Sequence, residues 1–274
     1  MPKERLQRIG LYAALGFATA LTLFPLLWMI SVSFMPSGEA NAFPPPFLPS
    51  RWTFEHYASL FDRLNMGRYL MNSFGLALAA TAVSLWFNAT AGYAFAKLRF
   101  AGRDRIFKTL MGALVIPAQV SMLPLFVMLR YMGLVNSYAG ILIPVLASIF
   151  GIFLIRQYAL SIPDSLIEAA RIDGATEWET FRKIILPLLY PILATLAIFT
   201  FMGTWNDFMW PLIVLTDSEK QTLPVALAAL SGEHVQDNEL MMAGSVVTVL
   251  PVLIVFLAMQ RYYMKGIMMG GTKE

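Results

Sequence analysis

Cysteine is absent from this sequence of 274 residues, and histidine occurs only as His56 and His234. Disulfides and thiolate metal sites are therefore excluded. No further metal-binding side chains stand at ligand spacing around either histidine. The sequence accordingly predicts neither a bound metal nor a cofactor.

Charged residues are also scarce, since they make up 14% of the chain whereas hydrophobic residues make up 58%. Soluble domains carry about 25% charged residues. The mean hydropathy is +0.63, and polar residues stand in short blocks between long apolar runs, which is typical of several membrane spans. The net charge of +3 is scattered over loops. It forms no basic face, so a nucleic-acid partner is not expected.

Six apolar segments reach the length of about 20 residues that a helix needs to cross the hydrocarbon core. Pro117 and Pro124 in the third segment, and Pro191 and Pro211 in the fifth, predict kinks there. No repeat or low-complexity tail divides the chain, so we predict one transmembrane domain over residues 1–274. The predicted spans cover residues 9–34, 70–96, 106–129, 137–160, 188–215 and 239–264, with a polar loop at about 161–187.

The first apolar run has two interpretations. Three basic residues precede it and Ala18-Thr19-Ala20 lies within it, as in a cleaved signal peptide. However, the run continues past Ala20 as far as Ile30, which favours an uncleaved span.

Lysine and arginine are distributed unevenly between the two sides of the predicted spans. The N-terminus, the loop between spans two and three, the loop between spans four and five, and the C-terminal tail hold fifteen of them, against five in the remaining loops. Cytoplasmic loops carry such an excess. We therefore expect both termini and the 161–187 loop to lie in the cytoplasm.

The chain lacks a phosphate-binding P-loop. Gly102 followed by Lys108-Thr109 is the nearest match, but no glycine directly precedes the lysine and no buried strand precedes the segment. ATP is therefore not bound by that route, and energy for any transport must come from another source.

The 161–187 loop is long and charged enough to fold. Pro163 to Asp173 predicts a short helix, with Gly174 supplying the left-handed residue that commonly ends a helix. Thr176-Glu177-Trp178-Glu179 matches a capping box that opens a second helix running to Pro187. A solvated helical hairpin explains this pattern as well as a docking surface does. A DNA-binding helix-turn-helix is disfavoured, because the two glutamates would repel phosphates.

Two details of the first predicted helix bear on docking. Ala169 and Ala170 would keep one surface small, so that another protein's backbone approaches closely. Glu168 and Arg171 are spaced to pair along the helix.

The most polar point within the predicted spans lies in the fifth. Trp205, Asn206, Asp207 and Trp210 occur together there. Indole rings and amides suit sugars, so one hypothesis is a substrate pathway. The other is a hydrogen-bond clamp between helices near the outer interface.

Glu168-Ala169-Ala170, then Gly174, then Ile184-x-Leu186-Pro187 resembles the cytoplasmic signature of bacterial ABC importer permeases. The full run EAARIDGATEWETFRKIILPL is similar to the carbohydrate branch of that family, the maltose-type and glycerol-phosphate-type permeases. Supporting segments extend the resemblance over about residues 10–270, and the last of them is GTWNDFMWPL at 203–212.

The resemblance implies an all-α membrane protein of six spans with the type I importer permease fold, in the bacterial inner membrane. It implies a second, homologous permease, a cytoplasmic ATPase dimer that hydrolyses the ATP, and an extracytoplasmic sugar-binding protein as partners, besides membrane lipid. The chain itself would not be an enzyme. The ATPase-coupling residues implied are Glu168, Ala169, Ala170, Asp173, Gly174 and Ala175.

Two questions stay open at this point. A self-sufficient secondary carrier or channel is the alternative function, and a membrane enzyme is a more distant one because no reacting set of side chains is visible. A di- or oligosaccharide is the first expectation for the solute, and glycerol 3-phosphate or a similar polyol phosphate is the second.

Overall fold

The chain forms α-helices joined by turns and loops in a computed structural model, which describes residues 2–233 and 237–271. No strand occurs within those ranges, in agreement with the predicted all-α fold. His234 lies outside them. The α-helices of the described residues are α1 Pro2–Val32, α2 Glu55–Asp62, α3 Met66–Lys97, α4 Arg103–Ala113, α5 Ala118–Tyr131, α6 Tyr138–Leu142, α7 Ile149–Leu160, α8 Asp164–Ile172, α9 Glu177–Thr180, α10 Leu186–Leu188, α11 Tyr190–Trp205, α12 Met209–Val214, α13 Leu223–Glu233 and α14 Asn238–Gly271.

Membrane-crossing segments account for most of these helices. Four stretches of the described residues are long and apolar enough to cross a membrane, and the number is six if each of two bent helix pairs is one span. The four are Gln7–Val32, Met66–Lys97, Tyr138–Leu160 and Asn238–Ala258. They match the first, second, fourth and sixth predicted spans, and the fourth is interrupted between α6 and α7, where residues 146–148 are not helical.

The third predicted span, 106–129, is not one helix. Its two parts, α4 and α5, meet at an angle of 107°. Pro117 stands just before α5 with an extended backbone, and a proline has no N–H with which to continue the helical bonding of α4. Pro124, by contrast, lies inside α5 without ending it. The kink expected near Pro117 is therefore a complete break.

The fifth predicted span, 188–215, is also interrupted. The helix pair Glu177–Leu188 and Tyr190–Trp205 is bent by 75°, next to Pro191. The chain then leaves the helix after Trp205 and starts α12 at Met209. Asn206 and Asp207 consequently lie in a break between helices, where the sequence had predicted a continuous span.

One compact unit consists of the chain up to Gly67 together with Ala226–Pro251. In it, His56 of α2 is buried and its Nε2 lies 2.9 Å from the carbonyl oxygen of Met35. Glu239, in the first turn of α14, is also buried and accepts a 2.8 Å hydrogen bond from the Ala40 N–H. These polar contacts join the segment after α1 to α2 and α14.

The second compact unit consists of Arg68–Val225 and the chain from Val252 onward. Its main apolar core joins α3, α7, the 161–187 loop and α11 through buried residues such as Tyr93, Ile155, Phe181, Ile185 and Leu196. The loop is therefore part of a folded core. The single domain predicted over residues 1–274 stays a prediction.

Within the second unit, α3 and α7 approach each other closely at Gly92. A Cβ atom added there would lie 2.6 Å from the Cβ of Ile155 and 3.1 Å from the backbone N of Arg156. Real Cβ atoms do not approach other carbons so closely, so only glycine fits this contact.

Replacing Gly92 by alanine should therefore push α3 away from α7 and destabilise the protein by about 1–3 kcal/mol, as overpacking does. Gly75→Ala is the matched control, because Gly75 lies in the same helix with nothing near its Cβ position. We expect the melting temperature in detergent to fall for Gly92→Ala and not to fall for Gly75→Ala. A Gly92→Ala protein as stable as wild type would contradict the close approach.

Candidate functional site

The 161–187 loop forms a helical hairpin, which consists of α8, a turn, and the helical segment Glu177–Leu188. Its corner follows from local hydrogen bonds. Gly174 has φ +81°, the Gly174 N–H donates to Arg171 O, and the Ala175 N–H donates to Ala170 O at 2.9 Å. This is the Schellman arrangement that ends a helix with a left-handed glycine. The predicted glycine corner is confirmed.

The second helix of the hairpin begins with the predicted capping box. The Glu179 N–H donates to Thr176 Oγ1 at 3.2 Å, and the Thr176 N–H donates to Glu179 Oε2 at 3.1 Å. A π-helical segment follows over Phe181–Ile185, which sequence reasoning missed. The sequence feature that could have indicated this segment is Pro187, because a proline has no N–H to donate to the carbonyl of Lys183 and so interrupts the α-helical bonding there.

The predicted coupling residues differ in exposure. Glu168, Ala169, Asp173 and Gly174 are exposed and Ala175 is half-buried, but Ala170 is only 5% exposed. The expectation that Ala169 and Ala170 form one small surface is therefore wrong, since Ala170 packs inward. Residues one turn apart share a helix face, and Ala170 lies on the inward face with buried Ile167.

The apolar residue Ile172 was missed by sequence reasoning, although it is 87% exposed. It lies near Glu168, Ala169 and Asp173 at the end of α8, and we call these four residues the hairpin tip. The sequence feature that could have indicated Ile172 is its position between the charged residues Arg171 and Asp173. The tip combines two carboxylates with an apolar side chain, which suits contact with another protein.

The predicted pairing of Glu168 with Arg171 is wrong. Arg171 donates instead to Glu177 Oε1 across the corner, through Nε at 3.0 Å and through a terminal nitrogen at 2.6 Å. The fold brings the start of the second helix within reach of Arg171, whereas the helical spacing alone suggested Glu168. The Glu168 carboxylate is thereby left at the exposed tip.

Two side chains of α3, Lys97 and Tyr93, hold the hairpin. Neither was predicted to have a role. Lys97 Nζ donates to Asp164 Oδ1 and to the Ile162 carbonyl, each at 2.6 Å. This hydrogen bond and the positive charge of Lys97 lower the pKa of the Asp164 carboxyl. The Tyr93 hydroxyl donates to Glu177 Oε2 at 3.3 Å. Lys97 had been counted only as a cytoplasmic charge.

The four residues predicted as a possible substrate pathway separate in the structure. Trp205 is fully buried and stacks on Phe201. Trp210 is also buried, and its Nε1 donates to the carbonyl of Gly140. Trp210 therefore joins α12 to α6, whereas Trp205 stacks within its own helix. Asn206 is exposed and donates to Met202 O at the end of its own helix.

Of the four, only Asp207 lines the cavity of about 240 Å³ that lies beside α11. Its carboxylate accepts a hydrogen bond from the Trp210 N–H, which caps α12. Four hydroxyl side chains share the cavity wall with it, and sequence reasoning missed them although Thr200 and Thr204 are spaced one helical turn apart. They are Ser84, Ser148, Thr200 and Thr204.

No group of three His, Asp or Glu side chains that could hold a metal ion occurs in the part of the chain that the structure describes.

Comparison with known proteins gives consistent similarities. Residues 88–268 match the family model described as the inner membrane component of binding-protein-dependent transport systems. An arabinooligosaccharides transport system permease, AraQ, of Halalkalibacterium halodurans is 38% identical over 94% of this chain and 94% of its own. A lactose transport system permease, LacG, of Rhizobium radiobacter is 32% identical, over 99% of this chain and 98% of its own.

Among solved structures, a chain of a bacterial ABC transporter involved in importing the acidic polysaccharide alginate superposes with a TM-score of 0.85. It is 27% identical, and the match covers 96% of this chain and 98% of that one.

The corner of the hairpin leads to a testable prediction. Gly174→Ala should weaken the corner by about 1–2 kcal/mol, because a left-handed conformation is unfavourable for any residue with a Cβ. No atom lies near a Cβ added at Gly174, so the effect is confined to the backbone. Amide hydrogen exchange at residues 173–178 should accelerate. Gly203→Ala is the control, because its Cβ position is equally open but it lies in α11, and it should leave that exchange unchanged. Equal exchange rates in both variants would refute the role of Gly174 in the corner.

Proposed function

Because the chain belongs to the family of inner membrane components of binding-protein-dependent transport systems, we propose that it is a permease subunit of an ATP-driven carbohydrate importer. The family assignment confirms the predicted fold, an all-α membrane protein of the ABC importer type I permease class. The protein is a multi-pass protein of the inner membrane. We treat residues 1–274 as one permease domain.

A di- or oligosaccharide is the proposed solute class. Two relatives over almost the whole chain are named for arabinooligosaccharides and for lactose. The solved importer that it resembles carries a polysaccharide. These names favour oligosaccharides over glycerol 3-phosphate, which none of them mentions.

The hairpin is the proposed site of coupling to a cytoplasmic ATPase dimer. The observation that carries this proposal is a rigid, capped corner whose tip leaves Glu168, Ile172 and Asp173 exposed. Glu168 and Asp173 would contact polar groups of the ATPase, and Ile172 would fill an apolar hollow. The hydrolysis of ATP takes place on that partner. The hairpin and both chain termini therefore face the cytoplasm, as the distribution of lysine and arginine also favours.

A second permease and membrane lipid are the proposed partners of the exposed apolar surface. Val115 and Leu123, near and within α5, are 83% and 73% exposed in the single chain. Exposed apolar side chains at membrane depth need a cover of lipid or protein. An extracytoplasmic sugar-binding protein would deliver the solute to the opposite side of the membrane from the hairpin.

The cavity at Asp207 is the proposed pathway contact in this subunit. Hydroxyl and carboxylate groups bond sugar hydroxyls, and the apolar part of the wall suits the C–H faces of a sugar ring. Trp205, Asn206 and Trp210 instead support this wall through packing and capping. Closure of the ATPase dimer on ATP would move the hairpin, and the spans would switch between inward and outward openings.

Glu168→Lys should abolish uptake of labelled oligosaccharide in cells while the protein stays in the membrane. Loss of one partner of an interfacial charge pair costs about 2–5 kcal/mol, and here the sign is reversed as well. Asp104→Lys makes the same charge change at an exposed first-turn position of α4 and should keep uptake. Normal uptake by Glu168→Lys, or solute flux through the purified chain without any ATPase, would contradict the proposal.

Asp207→Asn should raise the solute concentration for half-maximal uptake by at least about tenfold, since a hydrogen bond to a charged group contributes about 1.5–3 kcal/mol. Asp217→Asn is the matched control: Asp217 also accepts a backbone N–H bond at the start of a helical turn, but it does not line the cavity. Transport kinetics in vesicles that contain the full transporter measure both. Equal half-saturation in the two variants would remove Asp207 from the pathway.

A further inference from the structure

The hairpin is attached sideways to α3, in addition to its chain connections to α7 and α11. The attachment comes from Tyr93 and Lys97, which are four residues apart and therefore lie on one face of α3. We propose that they are positioning residues that fix the hairpin to α3, so that displacement of the hairpin tip moves this span directly. This inference rests on the coupling role proposed above.

Lys97 connects three elements. Its side chain is 5% exposed, whereas that of its partner Asp164 is 75% exposed. The ammonium group is held by the first residue of α8 and by the Ile162 carbonyl in the turn after α7. A buried ammonium group is costly unless it is paired and hydrogen-bonded. Lys97 therefore favours the arrangement in which the hairpin stays against the end of α3.

Tyr93 adds a second attachment on the other arm of the hairpin. Its hydroxyl donates to Glu177, which also accepts both hydrogen bonds from Arg171. The ring of Tyr93 packs on Phe181 at 5.2 Å between centroids. Glu177 thus joins the end of α8, the start of the second helix and α3. The two arms of the hairpin are fixed to each other and to the same span.

Aromatic packing extends this contact along α3. Trp86 lies edge-on to Trp178 at 5.7 Å, and Trp178 in turn packs against Phe181 at 5.5 Å. Beside this contact, α3 packs on α7 at Gly92. The hairpin therefore rests on a face of α3 about three turns long. A rigid attachment of this kind transmits movement, whereas a hairpin held only by its two chain ends would rotate about them.

The experiment uses the complete transporter, with its second permease, ATPase and binding protein, in proteoliposomes. Uptake of radiolabelled lactose and arabinotriose is measured together with ATP hydrolysis in the same vesicles. For Lys97→Met we expect uptake per ATP hydrolysed to fall about tenfold, because the attachment loses its buried charge. Asp164→Asn, which removes the partner charge at an exposed position, should lower the same ratio. Lys97→Arg, which keeps the positive charge, should have the wild-type ratio of uptake to ATP hydrolysis.

The matched controls remove the same charges where they do not reach the hairpin. Arg105→Met removes an exposed cation of α4, and Asp104→Asn removes an acid that lies, like Asp164, in the first turn of a helix. Both should keep the wild-type ratio. An unchanged ratio in Lys97→Met and Asp164→Asn overturns the proposal, as does a loss that Lys97→Arg does not restore.

A second readout separates this proposal from the proposed function. Amide hydrogen exchange over residues 164–180 of the assembled transporter should accelerate in Lys97→Met and Asp164→Asn but not in the controls. If the wild-type complex takes up neither sugar, the carbohydrate assignment fails, and the exchange rates still decide whether α3 holds the hairpin. Equal exchange in all variants overturns the attachment even where transport is normal.

Discussion

Backbone hydrogen bonding in lipid is the constraint on which this structure depends, because hydrocarbon offers no partner to a free N–H or C=O group. Helices satisfy the constraint internally, and departures from the helix need side chains to replace the lost bonds. Ser148 accepts from the Gly151 N–H where α7 begins, and Asp207 accepts from the Trp210 N–H where α12 begins. The same two side chains line one cavity. The polar groups that repair broken spans are thus also available to a polar solute.

The hairpin is not subject to this constraint, since it carries too much charge to lie in the hydrocarbon. Hydrogen bonds at Gly174 and Thr176 set the angle of its corner. Those bonds do not set its orientation toward the spans. Contacts with Tyr93 and Lys97 do that, by joining each arm to α3. The proposed coupling role needs a connection between the hairpin and the spans, and these contacts provide one.

The predictions that succeeded and those that failed differ in the range of the interactions involved. The glycine corner and the capping box form within one turn of the backbone, between residues at most five positions apart, and both were predicted from sequence. The pairing of Arg171 with Glu177 is also close in sequence, but it crosses the corner between two helices. The inward direction of Ala170 and the burial of Trp205 and Trp210 likewise depend on how helices meet. Exposed and buried faces of a short amphipathic helix cannot be assigned until its neighbours are known.

The sequence by itself determined that the chain is a helical membrane protein, which segments are apolar enough to span, and where the hairpin turns. Each of these follows from composition or from contacts between near neighbours in the chain. Only the tertiary structure decided that the third, fourth and fifth spans are interrupted, that Asp207 shares a cavity with Ser84 and Ser148, and that Lys97 reaches Asp164. These facts join residues from 59 to more than 120 positions apart or depend on the angle between helices. Local hydropathy and helix propensity carry no information about either.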